Sequence, residues 1–209
     1  MSGSSKVRAV AAAVAAATIT LSSCADGGSD KATAPKIPRA EAQRDLVQQL
    51  RAGISFEYVP FATPSDAKRD ADAVLVGRVQ TVQPALMNNE VGVEGTAIVE
   101  LVPTKVWKSD RPSAEPIRVL VYRARNAPIE PYQQALPEGT QIVVFGYLRE
   151  GIDFVGDTPD GLAYELAPQS LHLPVGEKLV DVWGAETGGW PGVDSVEDFE
   201  EALGPGRKP

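Results

Sequence analysis

The stretch QIVVFGYL, residues 141–148, is apolar at nearly every position and can form a β-strand with two hydrophobic faces. Its β-branched and aromatic residues, among them Ile142, Val143 and Phe145, are typical of strands. A strand that is apolar on both faces has to be covered on both, because burial of apolar surface is what stabilises it. We therefore predict that residues 141–148 form the most deeply buried strand of a β fold.

The residues before this strand predict three more strands. Residues 73–82, AVLVGRVQTV, begin apolar on both faces and then alternate between apolar and polar positions. Residues 96–108 are predicted as a second strand, in which Pro103 requires an edge position or a bulge. Residues 117–122, IRVLVY, place three β-branched side chains on one face. The central part of the chain is therefore predicted to be mainly β.

Glycines inside two of these strands, Gly77 and Gly146, favour the sharp coiling of a closed barrel. The segments ADAVLVGRV, VPTKVWKSD, IRVLVY and LPEGTQIVVFGYL resemble exported bacterial proteins that are built around a small OB-like or netrin-type barrel. The resemblance covers residues 71–150 and implies an OB-like antiparallel barrel. Netrin-type metalloproteinase inhibitors act through a disulfide-tied cysteine beside the barrel, whereas Cys24 lies far before the first strand. Inhibition of proteases is therefore not expected.

Three helices are predicted outside the strands. Residues 38–51 have apolar side chains on one helical face and a proline at the first position. A short helix is predicted to begin at Thr63 and to end at Asp70. A last helix is predicted to be capped by Ser195 and to end at Gly204. These helices are expected to flank the barrel.

The strand pattern weakens after Glu150, and we predict that this part is an irregular acidic C-terminal extension. A TPDG turn at residues 158–161 is expected to join strands at 153–155 and 162–166. A further strand-like segment covers residues 178–183.

The charge distribution separates the two halves of the chain. Residues 24–149 carry 15 basic and 15 acidic groups, whereas residues 150–209 carry 3 basic and 13 acidic groups. Nucleic acid is therefore an unexpected partner, because its binding depends on lysine and arginine contacts with phosphates. Attraction of the protein to anionic lipid is not expected either.

The amino-terminal residues have the pattern of an export signal. Lys6 and Arg8 precede the apolar run of 13 residues from Ala9 to Leu21, which is too short to span a bilayer. The following residues, Leu-Ser-Ser-Cys at 21–24, resemble the lipobox of bacterial lipoproteins. This resemblance implies cleavage between Ser23 and Cys24, acylation of the Cys24 thiol and attachment to the membrane. The acylation would be detected by labelling with palmitate. An ordinary signal peptide with a cysteine beside its cleavage site is the alternative.

The predicted domain organisation follows from this cleavage site. Residues 1–23 are the signal peptide, residues 24–37 are a flexible Gly-, Ser- and Pro-containing tether, and residues 38–209 form a single barrel domain. A flexible tether of this length spans roughly 20 Å. The expected location is the extracytoplasmic face of the cell membrane, with the acyl chains on Cys24 as the membrane contact. No cofactor is predicted, and the acylated chain has no thiol for a cysteine metal site.

His172 is the only histidine and the only candidate for a histidine general base. Ser170 lies two residues away, but no Gly-x-Ser-x-Gly elbow accompanies it. Leu171 and Leu173 flank the histidine, which indicates a half-buried strand with His172 on its outer face. We expect no catalytic residue here, and an envelope hydrolase that uses His172 remains an alternative.

Two acidic groups in the second half are candidate ligand sites. Asp153, Asp157 and Asp160 could supply the oxygen ligands that calcium prefers, although their spacing matches no EF-hand loop. A second group, near the start of the last helix, comprises Glu197, Asp198, Glu200 and Glu201, and the helix dipole favours negative charge there. A solvated face is the expected role of this second group, with an interaction surface as the alternative, and no metal site is predicted.

Three aromatic residues of the second half form the candidate binding surface: Tyr164, Trp183 and Trp190. An indole in a Gly-rich loop, such as Trp190, can stack on a sugar ring or on a partner side chain. The interpretation that we favour for Trp190 is that it folds back and plugs the open end of the barrel.

The function that we predict is a lipid-anchored, non-catalytic binding domain whose partner is an envelope protein or a wall polymer. A carrier of an apolar ligand is a second hypothesis. It requires a cavity inside the barrel that is lined by Leu75, Val79, Val121 and Phe145.

Overall fold

The computed structural model describes residues 38–52, 59–85, 96–109, 115–123, 127–149, 163–184 and 189–209. They belong to one compact unit, Ile37–Pro209. In chain order the elements are α1 (Arg39–Ala52), α2 (Pro64–Asp70), β1 (Ala73–Ala85), β2 (Thr96–Lys108), β3 (Ile117–Tyr122), α3 (Glu130–Ala135), β4 (Gln141–Arg149), β5 (Ala163–Val175), β6 (Lys178–Asp181) and α4 (Val196–Leu203).

The strands form one sheet that closes into a barrel of five strands. The strand order is β3-β2-β1-β4-β5-β6, and an additional pairing joins β3 to β5. This closing pair is parallel and comprises Val119 with Tyr164 and Leu120 with Glu165, whereas the other pairs are antiparallel. The fold is therefore mainly β, as the strand pattern predicts, but the barrel is mixed and not purely antiparallel. β6 extends the sheet beyond the barrel.

Pro103 lies at a bulge in β2, as predicted. Val76 pairs with Lys105 and Gly77 pairs with Pro103, so Thr104 is an extra residue on β2. Proline has no amide hydrogen, and a bulge accommodates it because the ladder is interrupted there. β3 pairs with β2 only as far as Leu101, which leaves the Pro103 part of β2 without β3 as a neighbour.

Alternating residues of the strands point into the barrel and form an interior core. Its described members are buried to 92 % or more and include Leu75, Val79, Val99, Leu101, Val119, Val121, Ile142, Val144, Tyr164, Leu171 and Trp183. Helices α1 and α3 contribute to the same core through Leu46, Leu50 and Tyr132. The buried face of α1 agrees with the face predicted from the sequence. Helix α3 was not predicted, because six residues show too little periodicity.

A second set of side chains forms an outer core on the opposite face of β1 and β4. Its buried members are Ala67, Ala71, Val74, Val76, Val143, Phe145, Leu179, Trp190, Phe199 and Leu203. Helices α2 and α4 supply several of these residues and therefore cover the outside of the barrel at this face. β4 is buried on both faces as a result, which confirms the prediction from QIVVFGYL.

The prediction of an irregular extension after Glu150 is not confirmed for the described residues. β5 is a barrel strand of 13 residues and β6 pairs with it. Gly146 pairs with Leu166 and Val144 with Leu171, so residues 167–170 of β5 face a single residue of β4. This bulge and two prolines break the period-2 pattern, which is why the sequence pattern did not indicate one long strand. The predicted partner strand at 153–155 and the TPDG turn lie outside the described residues.

The capped helices follow their sequence signals. Thr63 accepts a hydrogen bond from Asp66 N as the N-cap of α2, and Ser195 does the same for Asp198 N in α4. Gly204 ends α4 with φ 80°, a conformation that glycine adopts without strain. Within the described part of the chain, no helix has both the length and the apolar character that crossing a bilayer requires.

Candidate functional site

The three aromatic residues predicted as a binding surface are core residues instead. Tyr164 and Trp183 are each 1 % exposed and belong to the interior core, and Trp190 is 7 % exposed and belongs to the outer core. Trp190 therefore covers the outside of β4 and does not plug the barrel. Its indole Nε1 donates to Phe61 O at 3.0 Å. Segments that are distant in the sequence cover these three side chains, and the local sequence does not indicate this burial.

His172 lies on the outer face of β5, as predicted, but it is fully buried and not half-buried. Its ring stacks on Trp190 at 5.4 Å between centroids and meets Phe199 edge-on at 4.8 Å. Ring nitrogen Nε2 lies 3.2 Å from Gln169 O, so the neutral ring carries its proton on Nε2. Burial lowers the pKa of His172 to about 4, against a smaller raising effect of the Gln169 carbonyl. His172 is therefore neutral at neutral pH.

The surroundings of His172 do not assemble a nucleophile and base pair. Its Nδ1 is buried and has no hydrogen-bond partner among the described residues. Ser170 is also buried, and its hydroxyl accepts a hydrogen bond from Ala167 N at 3.1 Å within the bulge of β5. A serine nucleophile needs a base in hydrogen-bond contact and access to substrate. This geometry provides neither at Ser170.

The bulge of β5 is held by Gln169, whose φ of 62° is unusual for a residue other than glycine. The buried Gln169 side chain accepts a hydrogen bond from Phe61 N at 2.8 Å and donates to Phe61 O. Because Trp190 donates to the same Phe61 carbonyl, Gln169 and Trp190 together fix this segment against the outer core. The conformation therefore has a structural role.

The residues proposed to line a ligand cavity in the barrel do not share one space. Leu75, Val79 and Val121 point inward, are at most 2 % exposed and pack in the interior core. Phe145 points outward and contacts Trp190 and Phe199 in the outer core. Successive residues of a strand face opposite sides, and Phe145 follows the inward-facing Val144. No observation on the described residues favours a carrier.

The candidate acidic sites have different outcomes. Asp153, Asp157 and Asp160, like Cys24, lie outside the described residues. Within the residues that are described, no group of three or more His, Cys, Asp or Glu side chains could hold a metal ion. In the acidic run of α4, Asp198 accepts from Ser195 Oγ at 2.6 Å, and Glu200 forms an ion pair with Lys105. Glu197 and Glu201 are exposed to solvent.

A polar groove of about 720 Å³ is the candidate functional site that the sequence analysis did not anticipate. It lies between the first turns of α1, the start of β4, the β5–β6 hairpin and the start of α4. Its polar and charged lining side chains are Arg39, Gln43, Lys105, Gln141, Glu177, Lys178, Ser195 and Glu197. These residues are spread over more than 150 positions, so no sequence motif could have indicated the site.

One wall of the groove is formed by α1. Arg39 donates a hydrogen bond from Nη2 to the buried Thr140 Oγ1 at 2.7 Å, which fixes the guanidinium at the groove. Thr140 in turn donates to Pro137 O. Gln43 is only 3 % exposed, yet its side-chain amide makes no hydrogen bond to any residue in the described ranges. The α1 wall therefore offers donor groups that no neighbouring side chain occupies.

The other wall carries cations that are already paired. Lys105 forms an ion pair with Glu200, and Lys178 forms one with Asp194. Hydrogen bonding to Asp194 raises the pKa of Lys178, so this lysine remains charged. Arg39, in contrast, has no ion-pair partner within the described parts of the chain. Glu177 and Glu197 add exposed carboxylates to this wall.

Comparisons of the chain with protein-family models, with curated proteins and with solved structures found no match.

Proposed function

We propose that this chain is a lipid-anchored, non-catalytic binding domain at the extracytoplasmic face of the membrane, built on an OB-like barrel. The location is supported by the sequence alone: a basic start, a short apolar run and the lipobox-like Leu-Ser-Ser-Cys that ends at Cys24. The partner is an envelope protein or a wall polymer, and not nucleic acid, because the second half of the chain is strongly acidic.

The OB-like assignment is supported by strand number and connectivity. OB-folds are five-stranded barrels, and several of them bind oligosaccharides. The barrel here has five closing strands, with α3 between the third and the fourth. Because one barrel type supports many activities, the assignment argues for a binding role only together with a site.

The observation that carries the binding role is the combination of a packed barrel interior with an open polar groove outside it. The described interior side chains are buried and pack against one another, which favours a site on the surface over a ligand inside the barrel. The sealed position of His172 supports the absence of acid–base catalysis at the only histidine. The groove then provides the surface at which a ligand finds unused hydrogen-bonding groups.

The anchoring is tested by radioactive palmitate labelling of cells that produce the full chain. Cys24→Ala is expected to abolish the label and to remove the protein from the membrane fraction, because the thiol is the acylated group. Ser29→Ala, a change in the predicted tether, is the matched control and should retain both. Unchanged labelling and unchanged membrane association of Cys24→Ala would contradict the proposal.

A further inference from the structure

We propose that the groove beside α1 binds a carboxylated sugar unit, with the sugar carboxylate held by Arg39, Gln43 and the amino-terminal turn of α1. This inference rests on the proposed function in one respect, the choice of an envelope polymer as the source of such a unit. The site itself follows from side chains that are placed at the groove and left unused by the protein.

The first argument is the unused hydrogen-bonding capacity of the α1 wall. Gln43 is 97 % buried, lines the groove and has no partner in the described parts of the chain. The amide atoms of Gln43 are not among the buried polar atoms that lack a partner, so they open into the groove, where a ligand can hydrogen-bond to them in place of solvent. The amide offers both donors and an acceptor, which suits a carboxylate oxygen and a neighbouring hydroxyl.

The second argument is the charge of the same wall. The guanidinium of Arg39 is oriented by Thr140 through a single neutral hydrogen bond, which leaves most of its donors free. Helix α1 has 14 residues, and Pro38 O accepts from Glu41 N and Ala42 N. The amides of Arg39 and Ala40 precede the first helical hydrogen bond, so they are available to an anion. A carboxylate at this wall meets a cation and the positive end of a helix together.

The third argument is the composition of the rest of the groove. Besides Lys105 and Lys178, which are paired with Glu200 and Asp194, the lining includes the exposed carboxylates of Glu177 and Glu197 and the amide of Gln141 at the start of β4. Exposed carboxylates and an amide accept hydrogen bonds from hydroxyl groups, whereas they repel a second negative charge. A ligand with one carboxylate and several hydroxyls matches both walls.

The test is a titration of the chain, purified from the producing cells and kept in detergent, with sodium glucuronate, followed by protein NMR. We expect shifts of the Ala40 backbone amide and of the Gln43 side-chain amide, with at least tenfold weaker binding of glucose, which lacks the carboxylate. Acetate, which lacks the hydroxyls, is also expected to bind at least tenfold more weakly. Equal affinity of glucose or of acetate would overturn the assignment of a sugar acid, and absence of any shift would overturn the site.

Two variants with matched controls locate the site. Arg39→Gln and Gln43→Leu are each expected to weaken glucuronate binding at least tenfold. Arg44→Gln and Gln49→Leu change exposed residues of the same helix and should leave binding unchanged. Equal effects of variants and controls would overturn the proposal. If Gln43→Leu does not fold, Gln43→Glu keeps the shape of the side chain, and its negative charge should produce the same loss.

The outcome is independent of membrane attachment. Binding is measured on the purified chain, so a free, unacylated chain that binds glucuronate would contradict the anchoring and support the groove. An anchored chain that shows no NMR shift with glucuronate would support the anchoring and contradict the groove as a binding site.

Discussion

At the scale of single residues, two buried titratable groups have pKa values that are shifted in opposite directions. Burial lowers the pKa of His172 to about 4, and burial raises the pKa of Asp181 to about 6, against smaller lowering effects of the Trp183 amide and Arg51. Both shifts have the same origin, since burial disfavours the charged form of either group. Their effects on stability oppose each other, because the charged form is the acid form of one group and the base form of the other.

The two groups therefore offset each other in the stability of the wild type between pH 4 and pH 6.5. The unfolded chain binds a proton at His172 below about pH 6.5, while the folded chain does not, so stability is lost as the pH falls towards 4. Asp181 contributes stability below its unfolded pKa of 3.8, and this contribution is lost as the pH rises through about 6. Each shift corresponds to about 3 kcal/mol.

Replacing one of these two groups should reveal the pH dependence of stability that the other contributes. We expect Asp181→Asn to lose about 3 kcal/mol of unfolding free energy between pH 6.5 and pH 4, which is a steeper loss than in the wild type. Denaturant titrations at several pH values measure this. The double variant Asp181→Asn with His172→Gln should have a flat profile in the same range. A profile of Asp181→Asn that is parallel to that of the wild type would refute the assignment.

A second residue-scale prediction concerns Gly146, where a side chain has no space. A Cβ built at this position would lie 2.7 Å from Tyr164 Cβ across the β4–β5 pair. We expect Gly146→Ala to destabilise the fold by roughly 1–3 kcal/mol, because the close contact forces the strands apart. Thermal unfolding measures the loss. In the background of Tyr164→Gly, which removes the contacting Cβ, Gly146→Ala should cost less stability than it costs in the wild type. Equal costs in both backgrounds would show that this contact is not the cause.

At the scale of secondary-structure elements, strands and caps agree with local sequence where local chemistry is sufficient. β2 has the predicted bounds, Thr96–Lys108, and α4 begins after the predicted cap Ser195 and ends at Gly204. The caps were predictable because a hydroxyl and an amide three residues apart are all that they need. β5 was not predictable as one strand, because its bulge is stabilised by contacts with Phe61, more than 100 residues away.

The cap of α4 gives an element-scale prediction. Ser195→Ala removes the hydroxyl that accepts from Asp198 N at 3.1 Å. We expect a loss of about 1 kcal/mol in unfolding free energy, because a helix amide loses its acceptor. Chemical denaturation measures this loss. Glu201→Ala, at an exposed position of the same helix, is the control and should change stability by less than about 0.5 kcal/mol; equal losses in both variants would argue against the cap.

At the scale of the whole molecule, the barrel is held unequally around its circumference. β1 pairs with β2 and β4 over long ladders, whereas the described β3–β5 closure comprises two residue pairs. Opening at the shortest ladder breaks the fewest hydrogen bonds. The β3–β5 seam is therefore the weakest point of the closed barrel.

Hydrogen exchange should detect this difference. Because successive amides of a strand point to opposite neighbours, one of the amides of Val119 and Leu120 points towards β5. We expect this amide to exchange faster than those of Val143 and Val144 in β4. The exchange rates are to be measured by NMR under native conditions, with the free energy of global unfolding as the upper limit. Equal protection at both seams would show that the barrel opens only as a unit.

The sequence by itself determined β1 to β4, the glycine that ends α4 and the capped helices, because alternation, backbone conformation and capping act within a few residues. Tertiary structure alone decided the β3–β5 closure, the burial of His172 and Trp190, and the groove that joins Arg39 to the β5–β6 hairpin. These features depend on which distant segments cover a given face, and burial of apolar surface has no local sequence signature that specifies its partner.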